Sequence, residues 1–292
     1  MADYAVPLVS FFCFFKFFQE ASGVLSQSHN IFMWLLLYIT VNMNTKILYW
    51  TENPAAQNIM KQFNELGVDV PIFETEKDFL YLEKEDVPEA DLLIIPSTHK
   101  SVANKKSLTI HATGNFGNAD YGGEPKKLNP TDPSAIAVGL RSMAKAQLPG
   151  FEVCLEVTHH GPTLKTPLVF IEIGSTEKEW KDEEAGKIVA NAVKDILENT
   201  KTFTNCIGFG GPHYAPGFST LILENPNIAF GHILPKYQQE NVSKEIIQQM
   251  IEGSNATKAV FDWDGMKGEY RNKAVEIIEE LGINWRKTGE LH

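Results

Sequence analysis

From position 43 onward, short apolar runs alternate with helix-punctuated stretches, and this alternation confines the chain to α/β architectures. Strands are expected over 46–50, 68–73, 92–95, 108–111, 152–160, 168–173, 205–210, 221–224, 227–232 and 259–261. Helices are expected over 54–66, 133–147, 176–198, 242–252 and 267–281. The punctuation is local chemistry. Pro54 opens the first helix and Gly67 closes it, while Thr131-Asp132-Pro133 supplies a capping side chain followed by proline in the first turn. Thr176 and Glu179 are spaced as a capping box for one helix running to about Glu198. Leu92-Leu93-Ile94-Ile95 is a continuous apolar run, the pattern of a strand covered on both faces. The expected fold is a mostly parallel or mixed central sheet with helices on both faces. Ligands of such sheets sit beyond the carboxyl ends of the strands.

The 292 residues divide unevenly. Residues 1–42 hold two apolar clusters, Phe11 to Phe18 and Ile31 to Val41, separated by Gln27-Ser28-His29-Asn30. Neither reaches the ~20 apolar residues that a spanning helix needs, and Asp3 replaces the basic start of a signal peptide. The segment reads as a hydrophobic appendage, or as the product of a start upstream of Met43, ahead of a weak membrane anchor. Residues 43–292 read as a single catalytic domain. Three cysteines without a C-x-x-C spacing exclude a disulfide scaffold and a cysteine-rich zinc module, and fit a reducing compartment. A net charge of −11 excludes a generic nucleic-acid coat.

Chemistry concentrates in the histidines. His99, His111, His159, His160, His213 and His232 each fall at or just beyond the end of an expected strand, and strand ends in such a sheet converge on one crevice. If 152–160 stays extended, His159 and His160 point to opposite faces. His160 then shares the more polar face with Glu152, Cys154, Glu156 and Thr158. Glu172 interrupts the apolar strand 168–173, where a carboxylate needs a partner, a proton or a metal. The alternative is that it caps the following Gly174-Ser175 turn. The catalytic candidates are therefore His160, Glu172, His213, His232 and His111.

The glycine-rich loops offer backbone N–H groups. Gly210-Gly211, with Tyr214 close by, and Gly114-Asn115 are candidates for holding an oxyanion or substrate. No P-loop, dinucleotide fingerprint, Gly-x-Ser-x-Gly elbow or H-E-x-x-H is present. Scattered histidines and a carboxylate still suit a metal, with His159, His160, Glu172 and His213 as candidate ligands. Charge is uneven as well. Acids crowd 74–91, whereas 100–150 carries seven Lys and Arg against three acids, a local excess of +4. Lys100, Lys105, Lys106, Lys126 and Lys127 are candidates for contact with a phosphate backbone.

Six stretches carry a resemblance: LTIHATGN (108–115), LNPTDPSAIA (128–137), EVTHHGPT (156–163), FIEIGSTEKEW (170–180), GFGGPHYAP (208–216) and GHILPKY (231–237). In this order the chain resembles the archaeal and plant type of D-aminoacyl-tRNA deacylase, across roughly 46–285. The resemblance implies a hydrolase that cleaves the ester between a D-amino acid and the tRNA 3′ end, in chiral proofreading of translation. It also implies zinc as cofactor, the acceptor end of D-aminoacyl-tRNA as partner rather than DNA, and a fold akin to peptidyl-tRNA hydrolases and phosphorylases. A cytoplasmic monomer is expected. The competing expectations are a zinc-dependent amidohydrolase or carboxypeptidase-like enzyme on small substrates, and a non-catalytic tRNA-binding module.

Overall fold

A computed structural model describes residues 44–67, 71–101 and 104–291. The apolar segment 1–42, and with it the appendage reading, lies outside the described residues. So does the beginning of the strand expected from 68.

The larger sheet is built from β1 (Thr45–Trp50), β2 (Ile72–Thr75), β3 (Leu92–Lys100), β4 (Ser107–His111), β5 (Glu152–Leu155) and β6 (Leu168–Ser175), in the order β2-β1-β3-β6-β4-β5. It is mixed: β4 runs antiparallel to β6, and the other pairings are parallel. The smaller sheet is parallel, in the order β10-β9-β7-β8, from β7 (Thr204–Phe209), β8 (Ile228–Leu234), β9 (Lys258–Phe261) and β10 (Asn284–Lys287). The α/β class read from the alternation stands, with its strands shared between two sheets.

Seven α-helices are described: α1 (Pro54–Leu66), α2 (Pro133–Ala146), α3 (Glu177–Trp180), α4 (Glu183–Leu197), α5 (Pro216–Glu224), α6 (Lys244–Ser254) and α7 (Gly268–Glu280). Helices α1, α2 and α4 bury one face of the larger sheet, packing Ile59, Leu140 and Val189 against Ile47, Ile94, Leu108, Ile110 and Ile171. The smaller sheet is sandwiched. On one face α2 and α5 meet Cys206 and Phe230; on the other, α6 and α7 meet Phe209 and Phe261. Helix caps follow side-chain chemistry. Asn53 accepts from the Ala56 N–H, Asp132 from Ser134 and Ser243 from Ile246.

Three local expectations need correction. Residues 221–224 are not a strand but the last turn of α5, whose Pro216 pre-sets the first turn. The helix expected over 176–198 is two helices, because Asp182 caps afresh by accepting from the Ala185 N–H. Thr176 instead donates its hydroxyl to Glu179. The strand expected over 152–160 ends at Leu155. Beyond it Glu156 still bonds the Ile110 carbonyl at 3.3 Å, but the next N–H groups cross to other elements: Val157 to the His213 carbonyl at 2.9 Å and Thr158 to the Ile233 carbonyl at 3.1 Å. Residues 156–160 thereby run between the two sheets.

Candidate functional site

The larger sheet's second face carries polar residues, and strand register sets them in rows. Ser97, Glu172, Thr109 and Cys154 lie side by side across β3, β6, β4 and β5. One row on, His99 and Ser107 flank Gly174; in the opposite direction, His111 sits beside Phe170. Gly174 is required by this packing, since a Cβ there would stand 2.5 Å from Ser107 Oγ and 2.8 Å from the His99 ring. The crossing segment 156–160 brings Glu156, His159 and His160 over this face, and the loop after β7 brings His213.

The outcome is a cluster of five histidines and two glutamates. Glu156 Oε2 accepts from His213 Nε2 at 2.7 Å and lies 3.5 Å from His159 Nε2, while Oε1 is 3.1 Å from His99 Nδ1. Glu172 Oε2 is 3.5 Å from His99 Nδ1 and 3.7 Å from His111 Nε2. Ring centroids are 4.4 Å apart for His111 and His159, 4.4 Å for His159 and His160, and 4.7 Å for His159 and His213. Tyr214 hydrogen-bonds His99 Nε2 at 2.9 Å, and the Tyr237 hydroxyl stands 3.3 Å from His213 Nδ1. The cluster opens at His213, whose side chain is 34% exposed, whereas Glu156 is fully buried.

Electrostatics divides these groups in two. Burial disfavours the charged forms of Glu156 and Glu172, but the surrounding imidazoles outweigh it and hold both carboxylates below their usual range. Burial likewise pulls His99 down, yet the two carboxylates beside it push it up to about 11. His111 is raised, because Glu172 and Glu156 offset its burial. By contrast, burial and the charge of His111 push His160 down to about 4, and burial with His111 and His160 nearby holds His159 well below the ordinary range. The protein thus keeps two anions, two rings favoured as cations and two rings kept neutral.

This donor set fits a divalent metal. His111, His159 and His160 each place Nδ1 against a backbone carbonyl, of Ala112, Val157 and Gly161. With Nδ1 as donor, Nε2 of the neutral His159 and His160 rings carries the lone pair, the arrangement that orients metal-bound histidines, and His111 would join them by giving up its proton to the metal. The ligand atoms of these three lie within 4.8 Å of one another. His111 Nε2 is buried without a hydrogen-bond partner, as expected for an atom that a ligand would engage. Two further groups meet the same separation, His99 with Glu156 and His213, and His111 with Glu156 and Glu172. The four ligands expected from the sequence are therefore regrouped. His159 and His160 join His111, while Glu172 and His213 fall in separate sets.

Several expected roles are corrected by this geometry. His159 and His160 do not diverge, because the strand has ended and His160 adopts a left-handed backbone at φ +46°. His232 is not in the cluster. Buried within β8, it donates from Nε2 to the Asn129 carbonyl at 2.8 Å and accepts at Nδ1 from Thr158 Oγ1 at 3.1 Å, leaving no ring atom for a substrate. Gly210 and Gly211 do not form an oxyanion hole. Their N–H groups are spent on the carbonyls of Leu234 at 2.8 Å and Gly265 at 3.2 Å. Gly114 N–H bonds the His160 carbonyl at 2.9 Å and Asn115 N–H the Lys127 carbonyl at 2.8 Å, so both shape the loop. Among the lysines, Lys105 pairs with Glu152 and Lys106 with Glu179, Lys100 lies over the Trp180 ring, and Lys126 and Lys127 are exposed on the loop before α2.

Two members of the cluster carry no role in the sequence reading. Glu156 is placed there only on a polar strand face, and His99 only among strand-end histidines. The signal for Glu156 was its position three residues before His159, but its meaning depends on the chain turning after Leu155.

Known proteins share the sequence and the fold of this chain. A model of the D-aminoacyl-tRNA deacylase family matches residues 86–286. The D-aminoacyl-tRNA deacylase of Methanocaldococcus jannaschii is 39% identical over 249 residues, covering 80% of this chain and 95% of the relative. That of Methanosarcina acetivorans is 44% identical over 216 residues, covering 72% and 71%. The crystal structure of a conserved protein of unknown function, AF0625, superposes with a TM-score of 0.80 at 28% identity, covering 86% of this chain and 97% of that one. Matched over most of its length by the family model and by these relatives, the chain belongs to the D-aminoacyl-tRNA deacylase family.

Proposed function

We propose that the protein hydrolyses the ester joining a D-amino acid to the 3′ end of tRNA, releasing the free D-amino acid and tRNA, with the histidine–glutamate cluster as its reaction centre and zinc as its cofactor. The supporting observation is the buried pair Glu156 and Glu172 ringed by five imidazoles on the one sheet face not covered by α1, α2 and α4. His111, His159 and His160 would hold the metal, with Glu172 beside His111 to balance its charge. Bound there, zinc supplies Lewis acidity and lowers the pKa of a coordinated water.

The remaining residues manage protons. Glu156 fixes the His213 ring by accepting from its Nε2–H. The opposite nitrogen, Nδ1, faces the open side of the cluster beside Tyr237. From there His213 donates a proton to the departing ribose oxygen. Tyr214 holds His99, which neutralises the charge shared by the two glutamates.

The test is to incubate the protein with D- and L-tyrosyl-tRNA, with and without a chelator, and follow ester loss. The D-ester is lost and the L-ester spared; chelation stops the reaction and added zinc restores it. Equal binding of charged and uncharged tRNA with no ester loss would instead identify a non-catalytic binding module.

A further inference from the structure

Tyr237 is the aromatic residue at the mouth of the cluster. It lies on the 3-10 turn Lys236–Asn241, which follows β8 and is tied to the His213 loop by the Lys236 N–H bonded to the Gly211 carbonyl. Its hydroxyl reaches inward to His213 Nδ1, and its ring lies close to parallel with the His213 ring, with centroids 6.4 Å apart and planes at 29°. Yet the residue is 56% exposed, one of six large apolar or aromatic residues left open to solvent among those described. A tyrosine whose polar end is engaged and whose ring stays open presents an apolar plate directly beside the proton donor. The more exposed Tyr81 and Tyr121 make no ring contact with the histidines among the described residues, and Trp263 is covered by Trp285, Arg271 and Lys287.

The substrate has a matching part. The scissile ester is carried by the ribose of the terminal adenosine, so the adenine lies one sugar away from the bond being cut. Every base has a π-face, and single-stranded ends are held by stacking on aromatic side chains. We infer that the exposed ring of Tyr237 is the stacking platform for the terminal adenine of the tRNA, placing the ribose oxygen within reach of His213. Tyr237 is thus a substrate-binding residue through its ring and a positioning residue for His213 through its hydroxyl. This rests on the deacylase reading above.

The two roles separate in two variants. Tyr237→Phe keeps the plate and removes the hydroxyl; Tyr237→Ala removes both. Loss of the hydroxyl lowers kcat in both variants alike. Loss of the ring raises KM for D-tyrosyl-tRNA about tenfold or more in Tyr237→Ala relative to Tyr237→Phe. The same difference is expected in the inhibition constant of the trinucleotide CCA, and none in that of D-tyrosine. Equal KM values for the two variants would overturn the inference. So would a weakened D-tyrosine constant with an unchanged CCA constant, which would place the ring against the amino acid. Thermal unfolding at the wild-type temperature shows that both variants are folded. Failure of the wild-type protein to cleave D-tyrosyl-tRNA rejects the deacylase reading itself, and is read separately from the comparison of the variants.

Discussion

His232 and His160 show how far one residue type diverges with its surroundings. Both are pushed down to about 4, His160 by burial and the charge of His111, His232 by burial that its hydrogen bond to Asn129 only partly offsets. His160 turns an unshared nitrogen toward other histidines, whereas His232 has both nitrogens spent within the protein. In the sequence both close an expected strand and both stand next to glycine, so neither spacing nor neighbours separates them. The fold makes His232 a liability in acid. Its folded pKa lies below the ordinary value of 6.5, so folding favours the neutral ring. The stabilisation is complete above that ordinary value and is lost as pH falls from about 6.5 through about 4, amounting to ~3 kcal/mol. In denaturant titrations at pH 7, 6, 5 and 4, the wild-type protein is expected to lose stability more steeply than His232→Gln. Parallel curves would show that His232 does not carry this acid sensitivity.

At the scale of elements, punctuation was more legible than continuity. Pro54 with Gly67, and Asp132 with Pro133, bound α1 and α2 as their chemistry dictates, because a cap depends on residues adjacent in sequence. The region after β6 was harder, since two capping signals overlap there. Thr176 and Glu179 satisfy each other, while Asp182 opens the longer α4. Asp182→Ala should therefore cost about 1 kcal/mol, and Thr176→Ala less than that, when their urea midpoints are compared. A larger loss for Thr176→Ala would restore the single-helix reading. The end of β5 was not legible at all. Residues 152–160 alternate like a strand, and only the competing carbonyls of His213 and Ile233 draw Val157 and Thr158 away from it.

For the whole molecule, charge has to be read with its partners. The excess over 100–150 is partly cancelled in space, because Glu152 and Glu179 pair with Lys105 and Lys106 at 3.6 Å and 3.9 Å. Among the described residues no carboxylate pairs with Lys126 or Lys127, which belong to the loop that also bonds the His160 carbonyl through Gly114. A double Lys126→Ala, Lys127→Ala variant is expected to bind tRNA more weakly and to reduce the slope of log affinity against log salt by roughly 1 to 2 units. Lys105→Ala should change that slope by less; the reverse ranking would move the approach path to the other end of β4. The sequence by itself determined the α/β class, the starts of α1 and α2, the crowding of histidines at strand ends and the family, because these rest on local propensity, short-range capping and ordered motifs. Only the tertiary structure decided which histidines share a site, that Glu156 lies at its centre, and that the glycine loops are spent on backbone bonds. Those outcomes depend on strand register and on a chain that leaves its sheet after Leu155, and both are set by contacts between residues tens of positions apart.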